Sequence, residues 1–202
     1  NLRLRARMTA AVRGFFAGRG YLEVETPILL PAPVPEPHIH FMETPQGVLQ
    51  PSPEVYMKRL LASGYPRIFQ TARCFRDRER GDRHLREFTL LEWYAAGADY
   101  RDLMDTCEAM VGFTARELGF GDTLSYQGRK IALSVPWERI TVARAFDLYA
   151  PHSLKESMTA GRFEEDLVSF VEPRLGTPGP TFLHDYPASM ASLSRGCPEA
   201  PD

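Results

Sequence analysis

The sequence predicts a single α+β domain over residues 1–202, in which a mainly antiparallel sheet is flanked by helices. Apolar residues recur at helical spacing in several separate segments, and the segment Arg67–Tyr94 contains two β-type runs joined by a charged loop. The alternation of helices with hairpins fits such a sheet. With 202 residues, 44% of them hydrophobic, one domain can bury roughly 70% of its unfolded surface.

The N-terminal part of the chain predicts a helix, a short strand and a loop. Apolar residues recur at helical spacing over Leu4–Phe16, and Gly18 and Gly20 provide a stop for the helix. Alternation over Leu22–Thr26 predicts a short strand. The six prolines between positions 27 and 45 predict an irregular loop.

Later elements follow from the same signals. Pro53 suits the first turn of a helix that runs through Leu61. After the hairpin, Tyr100–Leu118 has helical periodicity, and Ser125–Leu133 predicts a small hairpin around a central glycine. An amphipathic helix is predicted over Phe163–Val171, and a Pro/Gly cluster at 173–180 precedes a last strand.

Composition indicates a soluble, cytoplasmic protein. No apolar run approaches the ~20 residues of a membrane span, and no signal peptide opens the chain. The three cysteines lack metal-ligand spacing, which fits reduced thiols. A formal net charge of −2 argues mildly against a large basic nucleic-acid surface but does not exclude one, because a local patch could still hold tRNA.

The hairpin Arg67–Tyr94 carries more functional groups than a folding hairpin needs. On its second strand, Phe88, Leu90, Glu92 and Tyr94 share one face because side chains alternate with period 2. Arg76 lies at the end of the first strand. An aromatic ring can stack on a base, an arginine can hold a phosphate, and a carboxylate can hold an amine. The combination predicts a site for ATP and an amino-bearing small molecule.

A purely structural interpretation of the same hairpin is the alternative. Phe88 and Leu90 would then belong to the core, and the loop arginines would be solvated charges balanced by nearby acids. Glu92 argues against this interpretation, because a carboxylate between apolar neighbours is costly unless it is paired. We expect its partner to be an internal cation or a ligand ammonium.

Several stretches, in collinear order, resemble the class II aminoacyl-tRNA synthetases of the lysine, aspartate and asparagine branch. The hairpin resembles their motif 2, and RARMTAAVRGFFAGRGYLEVETP, which ends at Pro27, resembles motif 1. SPEVYMKRLL (Ser52–Leu61) resembles the helix with which lysyl enzymes bring a glutamate to the substrate. FLHDYPASMASL (Phe182–Leu193) resembles a strand and turn beside the amino-acid pocket. The likeness covers most of the chain and is loose only from about Gly119 to Gly179.

The resemblance implies an ATP site on the hairpin and its loop. Arg76 takes the position of the motif 2 arginine that contacts the α-phosphate and the activated carboxylate, so it is the expected catalytic residue. Phe88 takes the position of the aromatic that stacks on adenine, and His84 that of a loop histidine near the phosphates. The other implied ATP-binding positions are Asp77, Arg78, Glu79 and Leu85.

The resemblance also implies an amino-acid pocket. Glu54 and Glu92 match carboxylates that hold the amino groups of a lysine-type substrate, and Tyr94 matches a pocket phenol. Ser52 and Pro53 shape the same wall. Two carboxylates favour lysine or β-lysine, because an aspartate substrate would need a cation instead.

Two positions depart from the family pattern. Arg78 stands where members usually carry a glutamate. Glu79, which follows at once, could substitute if the loop shifts, or Arg78 could contact ATP through its backbone. Leu85-Arg86 replaces a frequent asparagine–proline pair, so adenine recognition there depends on a backbone contact.

Three functions are compatible with these motifs. The combination SPE-x-x-MKRLL, LEWY and YPAS-x-ASL favours the elongation factor P lysyltransferases, which place an activated lysine on a lysine side chain of elongation factor P. One alternative is the catalytic core of a lysyl-tRNA synthetase that charges tRNA. Another is a non-catalytic, synthetase-like binding module. In the first two cases, the motif 1 likeness predicts a homodimer through the first helix.

The family's motif 3, a glycine-rich strand with an ATP-binding arginine, has no counterpart after Tyr94. In the family, the acidic residues that bind Mg²⁺ also lie beyond the position of Asp202. The resemblance therefore predicts a partial catalytic domain that uses ATP and Mg²⁺, contains no metal ligands of its own and is inactive alone.

Overall fold

The computed structural model describes residues 1–35, 39–78, 81, 84–190, 194 and 196. The chain forms two compact units, Asn1–Leu103 and Met104–Asp202. Helices and small sheets occur in both units, and most strand pairings are antiparallel, which confirms the predicted α+β class. The single catalytic domain expected from the sequence stays a prediction. No described helix is long and apolar enough to cross a membrane.

The first unit is built from two small sheets and the helices beside them. One sheet has the order β1-β5-β6, and the other has the order β2-β4-β3. The elements are α1 (Leu2–Ala17), β1 (Leu22–Glu23), β2 (Leu29–Leu30), β3 (Met42–Thr44), β4 (Gly47–Leu49), α2 (Glu54–Ala62), β5 (Arg67–Phe75) and β6 (Glu87–Ala95).

An aromatic cluster joins helix α1 to one face of the β5–β6 hairpin. Phe16 is fully buried, and its ring stacks on that of Phe69 with the centroids 4.9 Å apart. The Phe16 ring also lies 5.3 Å from that of Trp93, which pairs with Phe69 across the two strands. Burial of large aromatic side chains is the main source of stability in such a cluster. Helix α1 thus packs on one face of the hairpin, and the cluster does not involve the opposite face.

Gln50 fixes the segment between β4 and α2. Its side chain is buried, accepts a hydrogen bond from Thr26 Oγ1 at 3.2 Å and donates one from Nε2 to the Arg73 carbonyl at 2.9 Å. Its backbone carbonyl accepts from the Phe75 N–H at 2.9 Å. A buried amide with these partners is satisfied. It holds the residues that follow, including Ser52, against the end of strand β5.

The second unit has a separate apolar core. The stacked rings of Phe146 and Phe163, with centroids 5.4 Å apart, pack with five further buried apolar residues: Ile140, Val142, Ala145, Leu167 and Val171. Its elements are α3 (Tyr100–Leu118, whose first turn belongs to the first unit), β7 (Thr123–Tyr126), β8 (Arg129–Ala132), β9 (Glu138–Thr141), α4 (Val142–Tyr149), α5 (Leu154–Thr159), α6 (Phe163–Asp166) and β10 (Thr181–His184).

Several predicted elements differ from the observed ones. The predicted loop at 27–45 contains strands β2 and β3, and the strand expected over Leu22–Thr26 ends at Glu23. The amphipathic helix expected over Phe163–Val171 changes to π-helical geometry from Leu167 onward. Strand β9 and helices α4 and α5 were not predicted. Pairings β1–β5 and β9–β10 are parallel.

Candidate functional site

The register of the β5–β6 hairpin decides which side chains share a face. The strands pair antiparallel from Arg67 opposite Ala95 to Phe75 opposite Glu87. Directly opposite residues project to the same side, and successive residues alternate between sides. The pairs Phe69–Trp93 and Thr71–Leu91 therefore belong to the side covered by α1. The other side carries four pairs: Ile68–Tyr94, Gln70–Glu92, Ala72–Leu90 and Cys74–Phe88.

This second side, here called the site face, brings together the four β6 residues that the sequence places on one face. Cys74 also lies on it, and burial raises the pKa of its thiol to about 11. The thiol is therefore protonated at neutral pH and is not a nucleophile.

Glu92 is held by two neutral hydroxyl groups. Ser52 Oγ donates to Glu92 Oε2 at 2.9 Å, and Tyr94 Oη donates to Glu92 Oε1 at 2.5 Å. Burial, followed by the hydrogen bond to Glu92, raises the pKa of Tyr94, so the phenol keeps its proton and remains a donor. The two hydrogen-bond donors that hold Glu92 are hydroxyls, and the expected cationic partner, whether internal or on a ligand, stays a prediction. The hydroxyls orient the carboxylate without neutralising its charge.

Glu54 is the second predicted carboxylate, and it already has an internal partner. Helix α2 begins after Pro53, which is buried, and the Glu54 N–H donates to Ser52 Oγ at 3.2 Å. The Glu54 carboxylate pairs with Lys58 Nζ at 2.5 Å, one helical turn later. Its negative charge adds to burial and to Glu92 in raising the pKa of Tyr94. The structure thus brings Ser52, Glu54 and Glu92 together, with Glu54 held by Lys58.

Arg76 lies at the open end of the hairpin, beside the same wall. Its Nε donates to the Pro51 carbonyl at 3.3 Å, next to Ser52, and its backbone N–H donates to the Arg86 carbonyl at 2.9 Å. The guanidinium carbon lies 5.3 Å from the centroid of the Phe88 ring. This cation–π contact covers part of the ring. An adenine base can therefore stack only on the part of the Phe88 ring that Arg76 leaves uncovered, unless the Arg76 side chain moves away.

The loop positions expected to bind ATP differ in exposure and in their contacts. The Arg78 backbone N–H and the Arg86 guanidinium, 2.6 Å from Asp77 Oδ1, hold the pKa of Asp77 below its usual range. Arg78 has a φ of 59°, a conformation uncommon for a residue with a side chain. His84 and Leu85 are exposed, and the predicted residue Glu79 lies outside the described residues.

Gln70 is a site residue that sequence analysis missed. It lies directly opposite Glu92, its side chain is only 5% exposed, and its Oε1 has no hydrogen-bond partner among the described residues. An unsatisfied buried acceptor is rare in a folded protein. The signal was present in the sequence, because Gln70 interrupts the apolar start of strand β5 on the side that carries Glu92.

A metal site is not formed by the described residues. Across 1–35, 39–78, 84–190 and the few further described positions, no three His, Cys, Asp or Glu side chains are grouped so that they could hold a metal ion.

The chain belongs to the class II tRNA synthetases of the D, K and N group, whose family model matches residues 1–200. Among similar proteins, the lysine–tRNA ligase of Magnetococcus marinus is 36% identical over 230 residues, which cover 98% of this chain and 44% of that protein. The lysine–tRNA ligase of Ralstonia nicotianae is 32% identical over 98% of this chain and 45% of its own length. The lysine–tRNA ligase of Dehalococcoides mccartyi is 33% identical, with coverages of 98% and 44%. The chain thus spans less than half the length of these relatives.

Proposed function

We propose that this chain carries the amino-acid pocket and part of the ATP site of an enzyme that activates lysine or β-lysine as the aminoacyl adenylate. The observation that carries the proposal is the oriented carboxylate of Glu92. Both of its described partners are neutral, and it lies opposite the unsatisfied oxygen of Gln70. A half-buried anion opposite an unsatisfied acceptor is complementary to ammonium groups.

The reaction needs little acid–base assistance. The substrate carboxylate attacks the α-phosphorus of ATP, the bond from that phosphorus to the bridging oxygen breaks, and pyrophosphate leaves. Arg76 would balance the negative charge that develops at the phosphorus. Its anchor on Pro51 lies one residue from Ser52, so one short segment contacts both the guanidinium and Glu92. Positioning of the two substrates would supply most of the remaining acceleration.

The carboxylates of Glu92 and Glu54 and the side-chain amide of Gln70 would each have a different part in binding the substrate. Glu92 would receive one ammonium group directly, and the neutral Gln70 oxygen would accept a hydrogen bond from the same group or from the second one. Glu54 would take part only if its contact with Lys58 opens, because that ammonium lies 2.5 Å from Glu54 Oε1. A substrate with an anionic side chain would be repelled by Glu92.

Two acceptors are proposed for the activated amino acid. Transfer to tRNA is supported by the similarity to lysine–tRNA ligases. Transfer to a lysine side chain of elongation factor P is supported by the SPE-x-x-MKRLL, LEWY and YPAS-x-ASL motifs. In both cases the ester or amide bond forms at the adenylate carbonyl, and AMP leaves.

The test is an acceptor assay on the intact protein with ATP, Mg²⁺ and labelled α-lysine or β-lysine. Elongation factor P and lysine tRNA are supplied in parallel, and pyrophosphate exchange is measured without an acceptor. Label on the protein or on the tRNA identifies the acceptor. Exchange without label on either refutes both acceptors but retains activation. Absence of exchange refutes the proposed activation and favours a binding module.

We also propose a homodimer through helix α1. Leu2, Leu4 and Met8 are 84%, 42% and 46% exposed, which is unusual for large apolar residues on one short helical segment. A second copy of the chain would cover them. Sedimentation of the intact protein at micromolar concentration should show a dimer that Met8→Glu weakens, and a wild-type monomer would contradict the proposal.

A further inference from the structure

A wide-open cavity at the surface of the second unit is lined by none of the residues of the site face. Its volume is about 440 Å³, within the usual range for small-ligand sites. It is formed by helix α5 and the segments on either side of it. The lining residues are His152, Lys155, Glu156, Thr159, Ala160 and Arg162. This part of the chain is also where the motif likeness to the family is loose.

The two acidic groups at this cavity are already satisfied. Glu156 accepts hydrogen bonds from the backbone N–H of Ser153 at 2.9 Å and from its hydroxyl at 2.8 Å, which caps helix α5. Asp166, which is 3% exposed and next to the lining residue His152, accepts from Ser157 Oγ at 2.5 Å and lies 3.3 Å from His152 Nδ1. Neither carboxylate needs a ligand donor.

The two fixed cations at the cavity differ in their surroundings: the charge of Arg162 helps to lower the pKa of both Glu156 and Asp166, and Lys155 is exposed. Arg162 Nε is buried and has no hydrogen-bond partner among the described residues. Lys155 is exposed, and within the described part of the chain its ammonium forms no hydrogen bond or ion pair, so water can solvate it. A buried donor that lacks an acceptor is disfavoured in a folded protein. An oxyanion in the cavity would supply acceptors to both side chains.

We propose that this cavity binds a phosphate group, with Arg162 and Lys155 as its ligands. A guanidinium offers a planar pair of donors that matches two phosphate oxygens, and a nearby ammonium adds a point charge. His152 lines the same cavity and would add a third donor. Acidic residues outnumber basic ones from Met104 onward, so this local group of cations is not part of a generally basic surface.

The test is hydrogen–deuterium exchange of the intact protein with inorganic phosphate, against chloride at the same ionic strength. A parallel arm uses a short single-stranded RNA at the same concentration of phosphate groups. Peptides from 152–166 report on the cavity, and peptides from 67–95 report separately on the proposed ATP site. Lys155→Gln and Arg162→Gln are compared with Arg174→Gln, which removes an exposed cation of the same unit outside the cavity.

We expect saturable protection at 152–166 that each cavity variant weakens by about tenfold or more and that Arg174→Gln leaves unchanged. Protection by inorganic phosphate supports a small phosphate-bearing ligand, and protection by RNA alone supports a nucleic-acid phosphate. The proposal is overturned if neither arm protects this segment or if the exposed Lys155→Gln variant binds as the wild type does. A change confined to 67–95 also counts against it.

Discussion

Replacing Glu92 by glutamine removes one charge from the amino-acid pocket and preserves its shape. Glutamine has the same length and keeps one accepting oxygen, and the Ser52 and Tyr94 hydroxyls, now 2.9 Å and 2.5 Å from the carboxylate, can each accept as well as donate. The fold should therefore be retained. A charge-assisted hydrogen bond to a substrate ammonium contributes about 1.5–3 kcal/mol. Its loss should raise the KM for lysine roughly 10-fold to 150-fold.

The assay for Glu92→Gln is lysine-dependent ATP–pyrophosphate exchange by the intact protein, with KM measured for lysine and for ATP. The matched control is Glu87→Gln, which removes an exposed carboxylate from the same strand, 3.4 Å from Arg73. We expect the lysine KM alone to rise in Glu92→Gln and neither KM to change in the control. An unchanged lysine KM, or an equal rise in the ATP KM, would refute the role of Glu92 as an ammonium ligand.

Three further substitutions test the catalytic arginine, the aromatic cluster and the buried aspartate. Arg76→Ala should slow pyrophosphate exchange about 10²–10³-fold, because it removes a charge contact to the transition state; wild-type exchange would exclude that role. Phe16→Ala should lower the free energy of unfolding in urea by about 3–5 kcal/mol, since the buried ring stacks on Phe69; a loss below about 1 kcal/mol would contradict that packing. The hydrogen bond from Ser157 lowers the pKa of Asp166, so its contribution to stability is present above the pKa of an unfolded aspartate, about 3.9, and is lost as the pH falls further. Asp166→Asn should therefore be less stable than the wild type at pH ~7, with a difference that shrinks below pH ~4 in urea unfolding; a difference independent of pH would oppose this account.

Local signals predicted the elements on which the site depends. Period-2 alternation in β6 placed Phe88, Glu92 and Tyr94 on one face, and helical periodicity gave the bounds of α3. The strands that local signals did not predict depend on pairing between segments that are distant in the sequence. Strands β2 and β3 are short and lie among prolines, and they form because β4 pairs with both of them. Such pairing leaves little local trace in the sequence.

The partners of the site residues were harder to predict than the residues themselves. Glu92 was expected to pair with an internal cation or a ligand ammonium, and the hydrogen bond that it accepts from Ser52, forty residues earlier, was not predicted. The place of Gln70 in the site became clear with the register, which sets it opposite Glu92. Lys58 was within reach of sequence reasoning, because residues four apart on a helix are neighbours. The Arg78 and Leu85 departures from the family pattern fall on an exposed loop, where ligand contacts stay a prediction.

Successive side chains of strand β6 point to opposite sides of the hairpin. Residues that pack against helix α1 therefore alternate along the strand with residues of the site face. Trp93, against the Phe16 ring, lies between Glu92 and Tyr94. Inserting or deleting a single residue within β5 or β6 would turn Glu92 toward helix α1 and Trp93 toward the substrate. An insertion or deletion within these strands should therefore destroy the amino-acid pocket. Only the connection between Phe75 and Glu87 can change in length without shifting the register of the strands. Natural variation in the length of this hairpin should be confined to that connection and should avoid the ATP-binding positions predicted there.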